Sequence, residues 1–244
     1  MKRKALIIGN TRGETGVGVD VKGYLQFLKS DIGGAWEAQE VCVSLDPMRG
    51  ETLQLLESYR RQCLDYFMLI FAGHGGFSRQ YGETVMELSK PCGIAQDLRE
   101  TETLNIAVRQ LNILDCCRSY YDEPMIKRGF EMINAGRVDT SMRMRARMLY
   151  DKQLQNSCTG TYSLYACSIG ESAAGYSDKG GVFSSALLDM GGFPRGRQVY
   201  TVGAAMTHAI NVVKANPYIS QNPAARLPRC LESQEFPWAV NALI

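Results

Sequence analysis

Short, wholly apolar runs alternate along the first half of the chain with stretches in which apolar residues recur at helical spacing. The apolar runs predict buried strands at residues 4–8, 41–45, 67–71 and 111–117. Helical spacing predicts helices at residues 19–28 and 51–63, between the first three strands. Strands joined by helices form βαβ units, in which the strands are parallel and the helices cover the sheet. We therefore predict an α/β fold with a mostly parallel sheet of about six strands and helices on both faces.

Weaker patterns define the rest of the chain. Further elements are predicted at residues 83–88 (a small hairpin), 98–108 (mostly helix), 162–167 (strand), 182–188 (helix) and 201–215 (a helix capped by Thr201). Residues 119–160 carry no strand signal and only a weak helical pattern around 142–154, so a long excursion is expected there. No linker divides the chain, and residues 1–244 are expected to form one domain.

Composition argues against several functional classes. The net charge is only +2 and the basic residues are interrupted by others, so no nucleic-acid partner is expected. The apolar stretch at residues 5–8 is too short for a signal peptide, and no run approaches the roughly 18 apolar residues of a membrane span. We therefore expect a cytoplasmic protein that does not engage a membrane. The eight cysteines include no CxxC pair, and with only two histidines in the chain we expect reduced thiols and no metal site.

Two of the predicted strands end in reactive side chains. Residues 73–75 place His74 between glycines after the third strand, and residues 115–117 close the fourth as Asp-Cys-Cys. The carboxyl ends of parallel strands share one edge of a sheet, where α/β proteins bind their ligands. An imidazole and a thiol at this edge are the minimum for a cysteine hydrolase, and the amides of Gly75 and Cys117 are candidates for an oxyanion hole. Each segment alone is more often structural, but their joint placement favours catalysis.

Five short segments carry a family resemblance. They read Lys-Ala-Leu-Ile-Ile-Gly-Asn at residues 4–10, Ala-Gly-His-Gly at 72–75, Leu-Asp-Cys-Cys-Arg at 114–118, Tyr-Ala-Cys-Ser-Ile-Gly-Glu at 165–171 and Gly-Val-Phe at 181–183. On these segments the chain resembles the caspase-like cysteine peptidases, the clan of caspases, metacaspases and paracaspases. It is most similar to paracaspases and bacterial relatives, over about residues 4–215. The resemblance implies a caspase-hemoglobinase fold and a cysteine endopeptidase with a dyad of His74 and Cys117.

The resemblance also implies a nucleophile and a substrate class. In the family's pattern an acidic or polar residue stands two positions before the catalytic cysteine, which selects Cys117 over Cys116. Strand alternation agrees, because Asp115 and Cys117 project to one side and leave Cys116 as a core thiol. Metacaspases and paracaspases line the primary pocket with acids and cut proteins after Arg or Lys. The matching positions are Asp115, Asp20 and, within one residue, Glu171. For Asp20 the alternative is a helix-start acid favoured by the helix dipole.

The resemblance also implies that the peptidase is activated by cleavage or by a further factor. In this fold the segment after the nucleophile is often an activation linker, here residues 119–160. We expect cleavage after one of its arginines, Arg137, Arg143, Arg145 or Arg147, with a basic amphipathic surface helix as the alternative. Many relatives require calcium, an activating protein or homodimerisation. The chain contains no DxDxDG loop, so no calcium site is identified; weak calcium binding by scattered acids stays open, and no other cofactor is expected.

Two other interpretations stay open. A caspase-like domain can be catalytically silent and act as a scaffold or binding module, although both candidate catalytic residues are present here. A nucleotide-binding α/β protein would need a phosphate loop, but the glycines after the first strand fit neither GxGxxG nor the P-loop pattern. The second histidine, His208, lies in a predicted helix and is assigned no chemistry.

Overall fold

The computed structural model of the protein describes residues 1–12, 15–89, 96–120 and 140–244. Its helices are α1 (Thr15–Lys29), α2 (Arg49–Arg60), α3 (Thr140–Asn156), α4 (Val182–Leu188) and α5 (Val202–Lys214). Its strands are β1 (Arg3–Gly9), β2 (Val41–Leu45), β3 (Tyr66–Ala72), β4 (Gly75–Ser78), β5 (Glu83–Glu87), β6 (Asp97–Arg99), β7 (Arg109–Asp115), β8 (Gly160–Tyr165), β9 (Gly175–Tyr176), β10 (Gly180–Gly181), β11 (Val199–Thr201), β12 (Ala224–Arg226) and β13 (Pro237–Val240). The strands predicted from the four apolar runs are all present, as β1, β2, β3 and β7.

Six strands form the central sheet, in the order β12-β8-β7-β3-β1-β2. All neighbours are parallel except β12, which runs antiparallel to β8 at the outer edge. Gly9, Ala72 and Asp115 lie side by side in the register, so β1, β3 and β7 end at the same level. The predicted mostly parallel sheet of six strands is confirmed, and the segments that follow these three strands start from one edge.

The two faces of the sheet bury separate cores, because successive residues of a strand point to opposite sides. Ile7 and Ile113 pack with residues of α1, α3, α4 and α5. Ile8 and Leu114 pack with α2 and with a small antiparallel sheet, β4-β5-β6. The alternating residues 83–88, predicted as a hairpin, supply the central strand of this small sheet. Helices cover both faces as predicted, and β4-β5-β6 shares the second face with α2.

Residues 98–108 do not form the predicted helix. They contain the end of β6 and a 3₁₀ helix, Glu100–Thr103, followed by irregular chain. A side chain from β7 holds this irregular segment: Gln110 accepts a hydrogen bond from the Ile106 amide at 3.0 Å and donates one to the Thr103 carbonyl at 2.6 Å. These contacts satisfy backbone groups that a helix would satisfy internally, so tertiary structure overrides the local pattern.

Helix α3 occupies the second half of the predicted excursion at residues 119–160. It runs for 17 residues and buries Ala146, Tyr150 and Leu154, a regular helical stripe. It is therefore longer than the weak pattern indicated, and it packs against the core. The other half of the excursion, residues 121–139, lies outside the described residues.

A largely buried ion network fixes α3 to the start of the chain. The fully buried Arg3 side chain pairs with Asp151 at 2.9 Å, and Arg147 donates two hydrogen bonds of 2.6 and 2.7 Å to Glu40. Burial raises the pKa of the Glu40 carboxyl, but the hydrogen bonds from Arg147 and the charges of both arginines outweigh it and lower the pKa overall. Through these pairs α3 is held against β1 and against the turn before β2.

Helices α4 and α5 both begin where the sequence predicts. The Thr201 hydroxyl accepts a hydrogen bond from the Ala204 amide at 3.3 Å, which confirms the predicted cap of α5. The predicted start of α4 after the glycine pair at 180–181 is also confirmed.

Across the parts of the chain that the structure describes, no helix combines the length and the apolarity needed to cross a membrane.

Candidate active site

His74 lies in the short turn between β3 and β4, at the carboxyl edge of the sheet. Within this turn Gly73 donates its amide hydrogen to the Asp115 carbonyl at 3.1 Å, and the His74 carbonyl accepts from the Glu87 amide at 2.9 Å. Gly73 has a φ of +150°, and a Cβ there would lie 2.9 Å from Asn10. Glycine is needed for this close approach. The turn thus holds His74 beside the end of β7.

Cys116 points into the core beneath β4. Its side chain is 1% exposed and packs with Leu114 and Met86. A Cβ on Gly75 would lie 2.7 Å from the Cys116 sulfur, so β4 lies directly on this thiol. Asp115, one residue earlier, faces the opposite side of the sheet and contacts α4. Asp115 and Cys116 therefore face opposite sides of the sheet, as expected for successive residues of a strand.

Cys117 lies at the end of β7 against the loop that follows β8. Its sulfur accepts a hydrogen bond from the Ala173 amide at 3.3 Å and is 3.8 Å from the Ala173 carbonyl oxygen. An N–H group aimed at sulfur favours the thiolate over the thiol. A second thiol, Cys167, is unsuited to attack, because burial and then the neighbouring Cys117 raise its pKa to about 12. Of these two thiols, Cys117 is therefore the candidate nucleophile.

The next residue, Arg118, fixes this end of β7. Its buried guanidinium lies 4.0 Å from the centre of the Tyr165 ring, and its Nε donates to the Thr84 hydroxyl at 3.0 Å. Its backbone amide donates to the Glu171 carbonyl at 2.9 Å. These contacts hold the chain on the far side of Cys117 in place.

Asp20 and Asp115 meet at the glycine pair that precedes α4. Both oxygens of Asp20 lie 2.9 Å from the Gly181 amide, and Asp115 accepts from the amide and the hydroxyl of Ser184 at 3.1 and 2.5 Å. A Cβ on Gly180 would lie 2.1 Å from Asp20, and one on Gly181 would lie 2.2 Å from Asp115. Only glycines leave room for the two carboxylates. Residues that are 95 positions apart in sequence thus form one acidic site.

Tyr24 is buried near the same two acids. Its hydroxyl donates to the Ser184 hydroxyl at 3.0 Å. Burial raises the pKa of Tyr24 well above its ordinary value, and the charges of Asp115 and Asp20 raise it further. Both carboxylates are therefore close enough to act on one buried phenol. Two carboxylates in one buried site repel each other and favour a cation between them.

Glu171, the third predicted pocket acid, has other partners. Its carboxylate accepts from the Asn222 amide and side chain at 2.9 and 2.7 Å, and from the Ser168 amide at 3.2 Å. Burial raises the pKa of Glu171, but the hydrogen bonds from Asn222 and Ser168 outweigh it and lower the pKa overall. None of the hydrogen bonds that Glu171 makes among the described residues reaches Asp20 or Asp115.

The candidate processing arginines fall in two places. Arg143, Arg145 and Arg147 lie within α3, and Arg137 lies outside the described residues. The guanidinium of Arg143 donates to the Lys29 carbonyl at 2.6 Å, while Arg145 donates to the carbonyl of the last residue at 2.7 Å. Peptidases cut exposed, flexible chain, so cleavage after these three residues would require α3 to unwind.

The second histidine forms a surface pair. The His208 Nε2 atom lies 2.9 Å from an Asp189 oxygen, and this hydrogen bond is the first cause of the lowered pKa of Asp189. Its role there is to join α5 to the end of α4. Among the residues that the structure describes, no group of three His, Cys, Asp or Glu side chains is placed to hold a metal ion.

Several residues of the site could not be read from the sequence. Ser184 donates a hydrogen bond to Asp115 and accepts one from Tyr24, yet neither residue belongs to a recognisable sequence motif. Gln221 is 3% exposed and joins the Ala166 carbonyl to the Ala174 amide, at 2.7 and 3.0 Å. It thereby positions the loop that contacts Cys117. The adjacent glycines at 180–181 were the one available signal, since two glycines before a helix indicate a close approach.

The chain is similar to known proteins in sequence pattern and in fold. A family model described as the caspase domain matches residues 2–233. The crystal structure of caspase-1 from Spodoptera frugiperda superimposes with a TM-score of 0.56 at 12% sequence identity, covering 92% of this chain and 86% of that one. No curated protein matches the chain significantly in sequence. At this identity the structural match concerns the fold alone.

Proposed function

Because the chain belongs to the caspase-domain family, we propose that it is a cysteine endopeptidase that cleaves proteins after Arg, and more slowly after Lys. Family membership supports proteolysis in general. The specificity for Arg and the dyad of Cys117 and His74 go beyond what family membership supports. Both rest on the residues at the carboxyl edge of the sheet.

The convergence of Asp20 and Asp115 carries the proposed specificity. Both residues are 6% exposed. Asp20 accepts a hydrogen bond from the glycine turn, and Asp115 accepts one from the first turn of α4. Asp115 lies two residues before Cys117, so a substrate side chain that reaches it belongs to the residue at the cleaved bond. A guanidinium presents a planar fork that two carboxylates can bind, whereas an ammonium is a point charge. Arg is therefore preferred over Lys.

The proposed mechanism assigns one step to each group. His74 accepts the thiol proton of Cys117, and the thiolate attacks the carbonyl carbon after the bound Arg. The amides of Gly75 and Cys117 hold the oxygen that becomes negative. The protonated His74 then gives its proton to the leaving amine, and water activated by the neutral imidazole hydrolyses the thioester. The hydrogen bond that the Ala173 amide donates to the Cys117 sulfur supports the thiolate before attack.

Matched fluorogenic peptides that differ only at the cleaved residue test the proposal. We expect the highest kcat/KM for Arg, a lower value for Lys and no cleavage for Asp, because the pocket is acidic. Cleavage after Asp as the preferred reaction would contradict the acidic pocket. Absence of cleavage for every peptide, with the chain folded and processed, would favour the scaffold interpretation.

Self-processing is expected after Arg137 and not within α3. Mass spectrometry of the purified wild-type chain should show fragments 1–137 and 138–244, and the Cys117→Ala chain should stay intact. Arg137→Gln should prevent this cut, while the control Arg145→Gln, which changes an exposed residue of α3, should be processed normally. A wild-type chain that stays intact while it cleaves peptides would contradict the prediction.

A further inference from the structure

Two cysteines far from the active site share one hydrogen-bonding partner. Cys158 lies in the turn between α3 and β8, and Cys230 lies in the irregular segment after β12. Their sulfurs are 3.4 and 3.2 Å from the same hydroxyl oxygen, that of Tyr162. Both cysteines are partly exposed, so small oxidants can reach them.

The tyrosine that joins the two thiols is fixed in the core. Its side chain is fully buried, and its ring stacks on Phe236 with centroids 4.0 Å apart and an angle of 22°. Burial first, and the neighbouring Cys158 in addition, raise the pKa of the Cys230 thiol. Each sulfur is therefore close enough to influence the other, and a rigid ring holds both at one point.

The backbone at Cys158 is hydrogen-bonded to the segment that follows Cys230. The Cys158 amide donates to the Gln234 carbonyl at 2.9 Å, and the Ser157 hydroxyl donates to the Glu235 carbonyl at 2.8 Å. Neither cysteine belongs to a helix or strand, so neither backbone is bound into a regular hydrogen-bond ladder. A disulfide requires the sulfurs to approach to about 2.05 Å. Bond formation therefore requires the two side chains to rotate from the shared hydroxyl toward each other, together with a shift of irregular chain.

We propose that Cys158 and Cys230 form a reversible disulfide when the protein meets a peroxide. One thiolate attacks the peroxide, cleaves its O–O bond, becomes a sulfenic acid and releases the first water (or alcohol). The second thiol then displaces hydroxide from that sulfur, which leaves as a second water and completes the S–S bond. Two thiols are oxidised, one peroxide is reduced, and a dithiol reductant reverses the bond.

The position of this pair separates it from catalysis. Cys158 precedes the first residue of β8, whereas Cys117 follows the last residue of β7, and these two strands are parallel. The cysteine pair and the nucleophile therefore lie at opposite edges of the sheet. The disulfide would close a long loop and tie the segment before β13 to the end of α3, which stabilises the folded state by restricting the unfolded chain.

Peptide mapping and thermal unfolding test the proposal on the whole chain. Cys117→Ala protein is used, so that self-processing and oxidation of the nucleophile do not interfere. After hydrogen peroxide and a block of free thiols with N-ethylmaleimide, we expect a cross-linked peptide that contains Cys158 and Cys230 and is two hydrogens lighter. Dithiothreitol should separate it. Tm should rise on oxidation by about 5–10 °C.

Two variants give matched controls. Cys158→Ser should lose the cross-link and the rise in Tm, whereas Cys63→Ser, which removes an exposed thiol elsewhere, should keep both. Labelling of Cys158 or Cys230 by maleimide after oxidation, or their separate conversion to sulfinic acids, would overturn the proposal. If Cys158→Ser fails to fold, the peptide map of the chain that keeps both Cys158 and Cys230 still shows whether the disulfide forms. None of these measurements depends on peptidase activity.

Discussion

Replacing Cys117 with alanine is expected to lower the kcat of peptide hydrolysis by at least about 10⁴-fold, because the attacking sulfur is removed and no other thiol of the described residues is placed to replace it. Cys116 faces the opposite core beneath β4, and burial together with Cys117 raises the pKa of Cys167. The measurement is the initial rate on the preferred Arg peptide, made with chains whose unfolding curves are comparable.

Cys116→Ala is the matched control for this prediction. It removes one buried sulfur that touches Gly75, at a cost of about 1–2 kcal/mol in the free energy of unfolding. Its activity should stay within a few-fold of wild type. Equal losses from the two variants, or an active Cys117→Ala chain, would show that the nucleophile has been assigned to the wrong residue.

Asp115→Asn is expected to lower kcat/KM for Arg peptides by roughly 10- to 100-fold, the effect of about 1.5–3 kcal/mol for a hydrogen-bonded charge. The asparagine keeps the shape of the side chain and can still accept a hydrogen bond from Ser184. The loss is therefore one of charge. It should be larger for Arg than for a peptide with an uncharged residue at the cleaved bond.

Ser184→Ala is the control that separates the charge of Asp115 from the position of its side chain. It removes the hydroxyl that lies 2.5 Å from Asp115 but leaves both carboxylates in place. We expect a smaller loss than for Asp115→Asn and an unchanged preference for Arg over Lys. If Asp115→Asn lowered turnover of charged and uncharged peptides equally, Asp115 would support the fold and not the substrate.

The regular part of the fold could be predicted because the signal is local. Buried parallel strands such as β3 are wholly apolar, and the helices between them repeat apolar residues every three or four positions. The chain at 98–108 could not be predicted in this way, since Gln110 from a neighbouring strand holds its backbone. Helix α3 was underestimated because its buried stripe is narrow and most of its other residues are polar.

The residues of the candidate site also differ in whether a local sequence signal predicts them. The positions of His74 and Cys117 follow from where apolar strands end, which the sequence displays directly. The meeting of Asp20 with Asp115 depends on a glycine turn more than 60 residues beyond the latter, and only the resemblance pointed to it. The partner of Glu171 is Asn222, which lies 51 residues away in a segment without a regular pattern. Contacts of that kind are set by the fold and leave no local trace.

The central sheet has a consequence for any cut between residues 121 and 139. Such a cut would leave β1, β2, β3 and β7 on one polypeptide and β8 and β12 on the other, joined along the β7–β8 ladder and by the ion pair of Arg3 with Asp151. The molecule would become a two-chain assembly in which both halves contribute to each of the two hydrophobic cores. Its unfolding would then separate the two chains and its refolding would be bimolecular, so that its resistance to denaturation would increase with protein concentration. An intact chain has no such dependence.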